Sequence, residues 1–243
     1  PVADQCDAKL VDLNYGEMIN VIVPGGGVVF DNFTFNRIVA EADILISVAC
    51  MKTHSQAVVT LGMKNLIGLG PGSVYGFPKS ILHERAQDKG DDYMAGVIVD
   101  LCKVRKIDLV VIDGRVGMEG QGPHEGTPVE LGLLVVGTDP VATDSVASII
   151  MGFDPEKLPS TELGQREGLG TNDLHKIEVR GEKLEDVFHM FKPASGHDSF
   201  QIVSPAYLAF YSARALISYV SAICWISTIV FLFLSRRRPL LRG

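Results

Sequence analysis

The chain has 243 residues, of which 47% are hydrophobic, and a formal net charge of −7. Residues 1–213 hold all 29 acidic residues and 17 of the 22 basic ones, a balance of 17 − 29 = −12. This acidic balance excludes nucleic acid as a partner, because phosphate backbones require a basic surface. The four cysteines include no Cys-x-x-Cys pair, so no ligands for a zinc ion or an iron–sulfur cluster can be identified in this chain.

Short β-rich runs alternate with helical patterns over the first 200 residues. The predicted strands are 9–14, 19–24, 43–49, 107–114, 131–137 and 175–181. The predicted helices are 35–42, 55–68, 91–106 and 139–152. This alternation, with the all-apolar centre of 107–114, predicts an α/β fold whose mainly parallel sheet is covered by helices on both faces.

The C-terminal region carries a long apolar segment. Residues 215–234 are 20 residues without a charge, which is enough to cross about 30 Å of hydrocarbon as a helix. We predict one transmembrane helix here, with a buried core helix as the alternative. The arginines that follow, four within 236–242, favour a cytoplasmic C-terminus with the globular domain outside the cytoplasm. A tail-anchored protein that faces the cytoplasm is the alternative topology.

The predicted organisation therefore has three parts. An α/β domain occupies residues 1–190, a linker occupies 191–213, and a membrane anchor with a basic tail occupies 214–243. The expected localisation is the membrane, as a single-pass protein.

Three predicted strands end in polar residues. Lys52 and His54 follow the first strand, Asp113 ends the second, and Asp139 follows the third. Ligands of open parallel sheets bind beyond the carboxyl ends of the strands. The sequence therefore predicts that these side chains meet at one edge of the sheet and form a site.

A glycine-rich stretch, residues 113–128, follows the second of these strands. Gly120 and Gly122 permit close backbone approach, and Glu119 and His124 supply an oxygen and an imidazole donor. This pattern predicts a loop that binds a ligand or a divalent metal. The alternative is a surface loop whose acidic residues are solvated.

Two further groups stand in apolar surroundings. Asp144 lies among valines and alanines of a predicted helix, so its carboxylate needs either a basic partner or a metal. Lys64 and Asn65 lie in the apolar pattern of the predicted helix 55–68. Lysines that only reach the surface along their aliphatic stems are the alternative to a binding role.

Three blocks together resemble the family known as domain of unknown function 362. They are KTHSQAVVTLGMKNLIGLGPG (52–72), DGRVGMEGQGPHEGTP (113–128) and GTDPVATDSVASIIMGFDP (137–155), and the resemblance covers roughly residues 20–190. Members often carry a ferredoxin-like iron–sulfur module, whose Cys-x-x-Cys runs this chain lacks, and some look exported by the twin-arginine route. The resemblance supports placing a site on Lys52, His54, Lys64, Asn65, Asp113, Glu119, Gly122, Asp139 and Asp144.

These observations give two hypotheses. In the first, Lys52 and Lys64 hold a small anionic substrate and His54 acts in acid–base chemistry near its ordinary pKa. Asn65, Gly120, Gly122 and His124 would line the ligand, while a divalent cation would be held by Asp113, Glu119, Asp139 and Asp144. In the second, the chain is a non-catalytic, membrane-tethered accessory subunit that docks a partner, such as a redox protein. The sequence names no reaction.

Overall fold

The computed structural model describes residues 2–83, 91–201 and 228–234, with the backbone alone for residue 91 and for 228–234. The described strands are β1 (Met18–Ile22), β2 (Asn32–Asn36), β3 (Ile46–His54), β4 (Val58–Thr60), β5 (Leu109–Gln121), β6 (Glu125–Gly137), β7 (Ile177–Gly181) and β8 (Thr228–Leu234). The described α-helices are α1 (Val2–Gln5), α2 (Arg37–Glu41), α3 (Gly72–Tyr75), α4 (Ser80–His83), α5 (Asp91–Val104), α6 (Pro140–Ile150), α7 (Pro159–Arg166) and α8 (Leu184–Val187). Short 3₁₀ helices occupy Lys64–Leu69, Leu174–Lys176 and Asp198–Phe200.

The main sheet is mixed, which corrects the predicted parallel sheet. Its strand order is β4-β3-β5-β6-β8-β7. Strand β3 is parallel to β5, and β7 is parallel to β8, whereas the other three neighbouring pairs are antiparallel. The reason lies in the connections. Helix α5 carries the chain from β3 to β5, while only residues 122–124 join β5 to β6, and so short a loop forces an antiparallel hairpin.

The helices that form the core pack on one face of this sheet. All eleven residues of α6 are buried, as are residues 93–102 of α5, and α7 packs against both helices. On the opposite face, Ile46 and Val48 of β3 are 51% and 64% exposed. The prediction that helices cover both faces is therefore wrong at β3 for the part of the chain that the structure describes.

Helix α6 begins as its sequence predicts. Asp139 is the N-cap, its carboxylate accepts a hydrogen bond from the Ala142 N–H at 2.8 Å, and Pro140 occupies the first turn. Past the other end of the helix, Gly152 adopts a φ of +82°, a conformation that favours glycine. Helix 139–152 is thus confirmed to within two residues at each end.

A small antiparallel sheet, β1–β2, is attached to the core through one buried carboxylate. Asp100 of α5 is fully buried and accepts three backbone hydrogen bonds from the loop before β2. The Val28 N–H donates to Oδ1 at 2.7 Å, and the N–H groups of Val29 and Phe30 donate to Oδ2 at 2.7 and 3.0 Å. A carboxylate can satisfy three donors at once, so this residue holds the N-terminal sheet on α5.

Two predicted elements are wrong. Residues 9–14 form no strand, and the predicted helix 55–68 is instead β4 followed by the 3₁₀ helix Lys64–Leu69. Val58, Leu61 and Leu66 are buried, as their helical spacing implied, but a short apolar run does not distinguish a helix from a strand. Strand β4 pairs antiparallel with the end of β3, from Lys52↔Thr60 to His54↔Val58.

The C-terminal apolar segment is described only in part. Residues 228–234, the last seven of the predicted transmembrane helix, form β8 between β6 and β7. Residues 215–227 and the basic tail lie outside the described residues. Within the described parts of the chain, no helix combines the length and apolar character that a membrane span requires. The predicted single-pass anchor is therefore not supported, because part of its sequence pairs within the sheet.

The boundary predicted at residue 190 stays a prediction. Phe191 and His197, assigned by sequence to a linker, are both buried, and the Phe191 N–H donates to the Met151 carbonyl at 2.9 Å. Residues 191–201 therefore pack on the domain.

Candidate functional site

The carboxyl end of β3 meets the tip of the β5–β6 hairpin. Because β6 runs antiparallel to β5, its carboxyl end and the following Asp139 lie at the opposite edge of the sheet from His54. Asp113 lies within β5, opposite Cys50 of β3, because β5 continues to Gln121. The predicted meeting of Lys52, Asp113 and Asp139 at one edge is therefore wrong.

The four predicted metal ligands are separated, and each carboxylate binds a different group. Asp113 forms an ion pair with Arg115 at 2.7 Å, and that hydrogen-bonded guanidinium lowers the pKa of Asp113. The Lys192 N–H donates to Glu119 at 2.8 Å. Besides capping α6, Asp139 accepts the Thr171 N–H at 3.1 Å. Among the described residues, no three His, Cys, Asp or Glu side chains are grouped so as to hold a metal ion, and the predicted metal site is not supported.

Asp144 supports the backbone that carries Lys64. Its Oδ1 accepts the Gly62 N–H at 2.8 Å, and its Oδ2 accepts the Met63 N–H at 2.9 Å. Burial raises the pKa of Asp144 to about 7, while these two hydrogen bonds lower it. The partner that its apolar surroundings require is therefore backbone N–H, and the 3₁₀ helix starts at the residue that follows.

The Asn65 side chain also forms hydrogen bonds within the protein. Its Nδ2 donates to Ser47 Oγ at 3.1 Å and to the Val48 carbonyl at 3.2 Å. These bonds tie the 3₁₀ helix to β3, so the side-chain amide predicted to line a ligand is engaged with the strand.

The glycines of the hairpin are required by close packing on β3. A Cβ at Gly122 would lie 2.0 Å from the Thr53 carbonyl oxygen, and Gly120 has a φ of +77°. The Ser55 N–H donates to the Gly122 carbonyl at 3.2 Å, and Thr53 Oγ1 donates to the Gly120 carbonyl at 2.8 Å. The predicted loop 113–128 is thus a hairpin whose tip is fastened to the end of β3, which brings His124 towards His54.

His54 is buried at this junction as a neutral ring with a defined tautomer. Its Nδ1 accepts the N–H of Gln56 at 2.9 Å and that of Ala57 at 3.2 Å, so in the neutral ring the proton is on Nε2. Burial, followed by Lys64, lowers the pKa of His54 to about 2. The prediction of a pKa near the ordinary histidine value is therefore wrong, and the Nε2–H is a hydrogen-bond donor.

Four basic side chains lie near enough to His54 to lower its pKa, and we call the five residues together the basic cluster: His54, Lys64, His83, His124 and His197. After burial, the causes that lower the pKa of His54 are the other four members of the cluster. The rings of His54 and His83 stack with centroids 6.3 Å apart. His83 and His197 were not predicted as site residues, because nothing in their local sequence indicates that they fold near residue 54.

Lys64 and His83 are the members whose proton state the structure defines further. Lys64 is half-buried, burial lowers its pKa to about 8, and its side chain has no ion pair or hydrogen bond with any described residue. The His83 Nδ1 lies 2.9 Å from the Lys79 carbonyl and must donate to it, which leaves the lone pair of a neutral ring on Nε2. Burial lowers the pKa of His83 as well.

Lys52 is not joined to the cluster. It is half-buried on β3, where its backbone pairs with Thr60 and Met118, and no described interaction links its side chain to His54 or Lys64. Of the three residues predicted as catalytic, His54 and Lys64 interact electrostatically, and their catalytic role stays a prediction.

A cleft of about 210 Å³ lies at the other edge of the sheet, lined by Cys102, Lys106, Asp139 and neighbouring residues. It is distant from the basic cluster because Asp139 follows the opposite end of β6. The Asp139 carboxylate is bonded there to the backbone N–H groups of Ala142 and Thr171, and the cleft is separate from the candidate site.

Chemically, the basic cluster offers donors and positive charge in a partly desolvated place. Such an arrangement favours anions, since His54 offers an Nε2–H donor and protonated Lys64 offers a positive charge.

Comparisons with known proteins agree with the sequence resemblance. The family model described as a domain of unknown function (DUF362) matches residues 1–148, a span that holds every member of the basic cluster except His197. The thylakoid-associated protein sll1697 of Synechocystis sp. is 33% identical over 150 residues, which are 60% of this chain and 45% of that protein. The chain thus spans less than half the length of that relative. No solved structure matches this chain.

Proposed function

The chain belongs to the DUF362 family, and we propose that it binds a small anionic ligand, a carboxylate or a phosphate, at the basic cluster. One observation carries the proposal: among the described residues, the titratable groups that act on His54 are all basic. Lys64, half-buried with no carboxylate partner among the described residues, carries an uncompensated charge when it is protonated, and a bound anion would offset that charge.

The proton states of the cluster support binding by hydrogen bonds as well as by charge. His54 presents an Nε2–H donor, and Lys64 presents an ammonium group when protonated. A bound anion stabilises the charged forms of Lys64 and the histidines, so binding takes up protons. Affinity should consequently rise as the pH falls.

Sulfate is a suitable probe because its own charge stays constant between pH 6 and 9. By isothermal titration calorimetry, we expect the wild type to bind sulfate several-fold more tightly at pH 6.5 than at pH 8.5. Replacement of the Lys64 charge in Lys64→Met should weaken binding at pH 6.5 by about tenfold, or roughly 1.4 kcal/mol.

The matched control is Lys106→Met, which removes one positive charge from an exposed site at the other edge of the sheet. This variant should bind sulfate as the wild type does. Equal weakening in both variants would mean that net charge alone attracts sulfate, and absence of binding at both pH values would overturn the proposal.

Association with a membrane surface is a second candidate function, favoured by two observations. The relative in Synechocystis sp. is described as thylakoid-associated. In the described part of this chain, the uncovered face of β3 presents Ile46 and Val48 to solvent beside the exposed Ile44. An apolar patch of this kind suits a lipid surface, and the acidic balance of the domain favours uncharged lipids over anionic ones.

Cosedimentation with phosphatidylcholine vesicles tests this second candidate. We expect the wild type to pellet with vesicles and Val48→Lys to bind at least fivefold less. Ile22→Lys makes the same charge change at an exposed apolar residue of β1 and should behave as the wild type does. Equal binding by Val48→Lys would remove the β3 face as the contact.

A further inference from the structure

Two members of the basic cluster are almost closed off from solvent. The His54 side chain belongs to a residue that is 4% exposed, and His197 is 5% exposed. An anion that accepts a hydrogen bond from the His54 Nε2–H must therefore reach a residue with almost no accessible surface. Part of the protein has to move before such an anion can enter.

The elements that carry other members of the cluster are firmly attached. The hairpin tip is bonded to β3 through Thr53, the Asp144 carboxylate holds the backbone before the 3₁₀ helix Lys64–Leu69, and the fully buried Leu82 anchors α4. Moving any of these elements would expose core side chains or leave buried polar groups without partners.

Residues 193–199, which carry His197 and which we call the strap, are attached more weakly. Both ends are fixed, because the Lys192 carbonyl accepts a backbone N–H of the hairpin at 2.7 Å and the Phe200 carbonyl accepts one from the loop after α6 at 2.9 Å. Between these points, the exposed Gln121 side chain of the hairpin tip donates a hydrogen bond to the exposed Ser195 hydroxyl. The hairpin tip that is bonded to β3 thus also holds the strap.

The strap buries little in its closed position. Ala194 and His197 are buried, whereas Ser195 and Gly196 between them are exposed. The His197 N–H donates to the Ala194 carbonyl at 3.1 Å, and this bond lies within the strap, so the two residues can move together. Opening would expose mainly a methyl group and an imidazole that water can hydrate, and it would break an exposed hydrogen bond. Segments with so few buried apolar contacts are the ones that open locally in native proteins.

We propose that the strap is a lid over the anion site, which opens by breaking the Gln121–Ser195 hydrogen bond and closes again over the bound anion. The inference rests on the proposed anion site and adds how the ligand enters and leaves it. Closure removes water from around the anion, which strengthens the hydrogen bonds that the protein donates to it. The Gln121 side chain acts as the latch of this lid.

Removal of the latch should make the strap open more often. In Gln121→Ala, we expect the amides of residues 193–199 to exchange with deuterium about fivefold faster than in the wild type, as measured by mass spectrometry. Saturating sulfate should slow this exchange in the wild type. Gln165→Ala is the matched control, because the exposed Gln165 accepts a hydrogen bond from Thr171 at 3.0 Å at the other edge of the sheet. The strap should exchange in this control as it does in the wild type.

A covalent lock tests directly whether the strap must open. Gln121→Cys and Ser195→Cys are combined in the full chain, with the native Cys6, Cys50 and Cys224 changed to serine, and dibromobimane then joins the two new thiols. Protein locked before sulfate is added should take up radioactive sulfate about tenfold less than the unlocked protein. Protein locked in saturating sulfate should retain the label through a desalting column.

The same double variant treated with monobromobimane is the control, because this reagent modifies both thiols without joining them. It should take up sulfate and release it on the column. The outcomes separate the two proposals. Uptake by the locked protein equal to that of the control, or strap exchange that saturating sulfate does not change, would overturn the lid and leave the anion site. Absence of sulfate binding to the wild type in calorimetry would overturn the anion site and the lid together.

Discussion

Replacing Asp100 by Asn should lower the free energy of unfolding by about 3 to 4 kcal/mol. The wild-type carboxylate accepts three N–H groups with its two oxygens, and both oxygens are used. An asparagine amide has one acceptor oxygen, so its NH₂ group must face at least one backbone donor in a fully buried place. Urea denaturation at pH 7.5 measures the loss, which corresponds to a fall in Tm of about 10 °C in a domain of this size.

Asp31→Asn is the matched control for this prediction. Asp31 belongs to the same loop, is exposed, and accepts one N–H, from Gly27 at 3.4 Å. Its replacement should change the unfolding free energy by less than about 0.5 kcal/mol. Equal losses in the two variants would show that Asp100 does not hold the β1–β2 sheet on α5.

The elements that sequence predicts best are those whose ends and apolar pattern agree. Helix α6 has an N-cap, a proline in its first turn and a glycine beyond its end, and all of these signals specify the same boundaries. The run 55–68 lacks such end signals, and its apolar spacing fits a buried strand and a 3₁₀ turn as well as a helix. The signals at its two ends specified α6, whereas apolar periodicity alone could not distinguish a helix from a strand in residues 55–68.

The glycine-rich run 113–128 shows why one composition supports two interpretations. Glycine permits a ligand to approach the backbone, but it equally permits another strand to do so. At Gly122 the approaching group is the Thr53 carbonyl. Only the position of β3, a long-range feature, distinguishes these cases.

The candidate site was predictable where its residues are close in sequence to a strand end. Lys64 lies near enough to His54 to lower its pKa, and so do His83 and His197, which approach through long-range packing that local sequence does not record. The carboxylates predicted as metal ligands did not form a site, for a different reason. Buried Asp144 did need a partner, and backbone N–H groups supplied it in place of a metal. The predicted membrane span gives a similar case: its uncharged residues 228–234 satisfy their backbone hydrogen-bonding groups within a sheet.

Asp144→Asn should cost about 2 kcal/mol of unfolding free energy at pH 8, since one of the N–H groups of Gly62 and Met63 would face an amide NH₂. Asp173→Asn is the control: Asp173 caps a short helix through one N–H, Asn caps equally well, and the ion pair that is lost, with the exposed Lys176 at 3.0 Å, contributes little. The control should lose less than about 1 kcal/mol. A loss in Asp144→Asn no larger than in the control would contradict the role given to this carboxylate.

The cost of Asp144→Asn should also depend on pH. The pKa of Asp144 in the folded protein is about 7, above its unfolded value of about 3.9, so folding takes up a proton between these pH values. This contribution to stability is full below about pH 4 and is lost as the pH rises through 7. The oxygens of a protonated carboxyl retain lone pairs for both N–H donors, whereas an amide NH₂ has none.

Asparagine does not titrate, so the variant lacks this contribution, and its cost at pH 5 should exceed its cost at pH 8 by about 2 to 3 kcal/mol. The opposing contribution of neutral, buried His54, present above about pH 6.5 and lost as the pH falls, is common to both proteins and cancels in the difference. Equal costs at both pH values would mean that Asp144 stays charged.

The Asp144 carboxylate also orders Gly62 and Met63 just before Lys64. The Asp144→Asn variant should therefore bind sulfate more weakly than the wild type at pH 6.5, which links the buried network to the anion site.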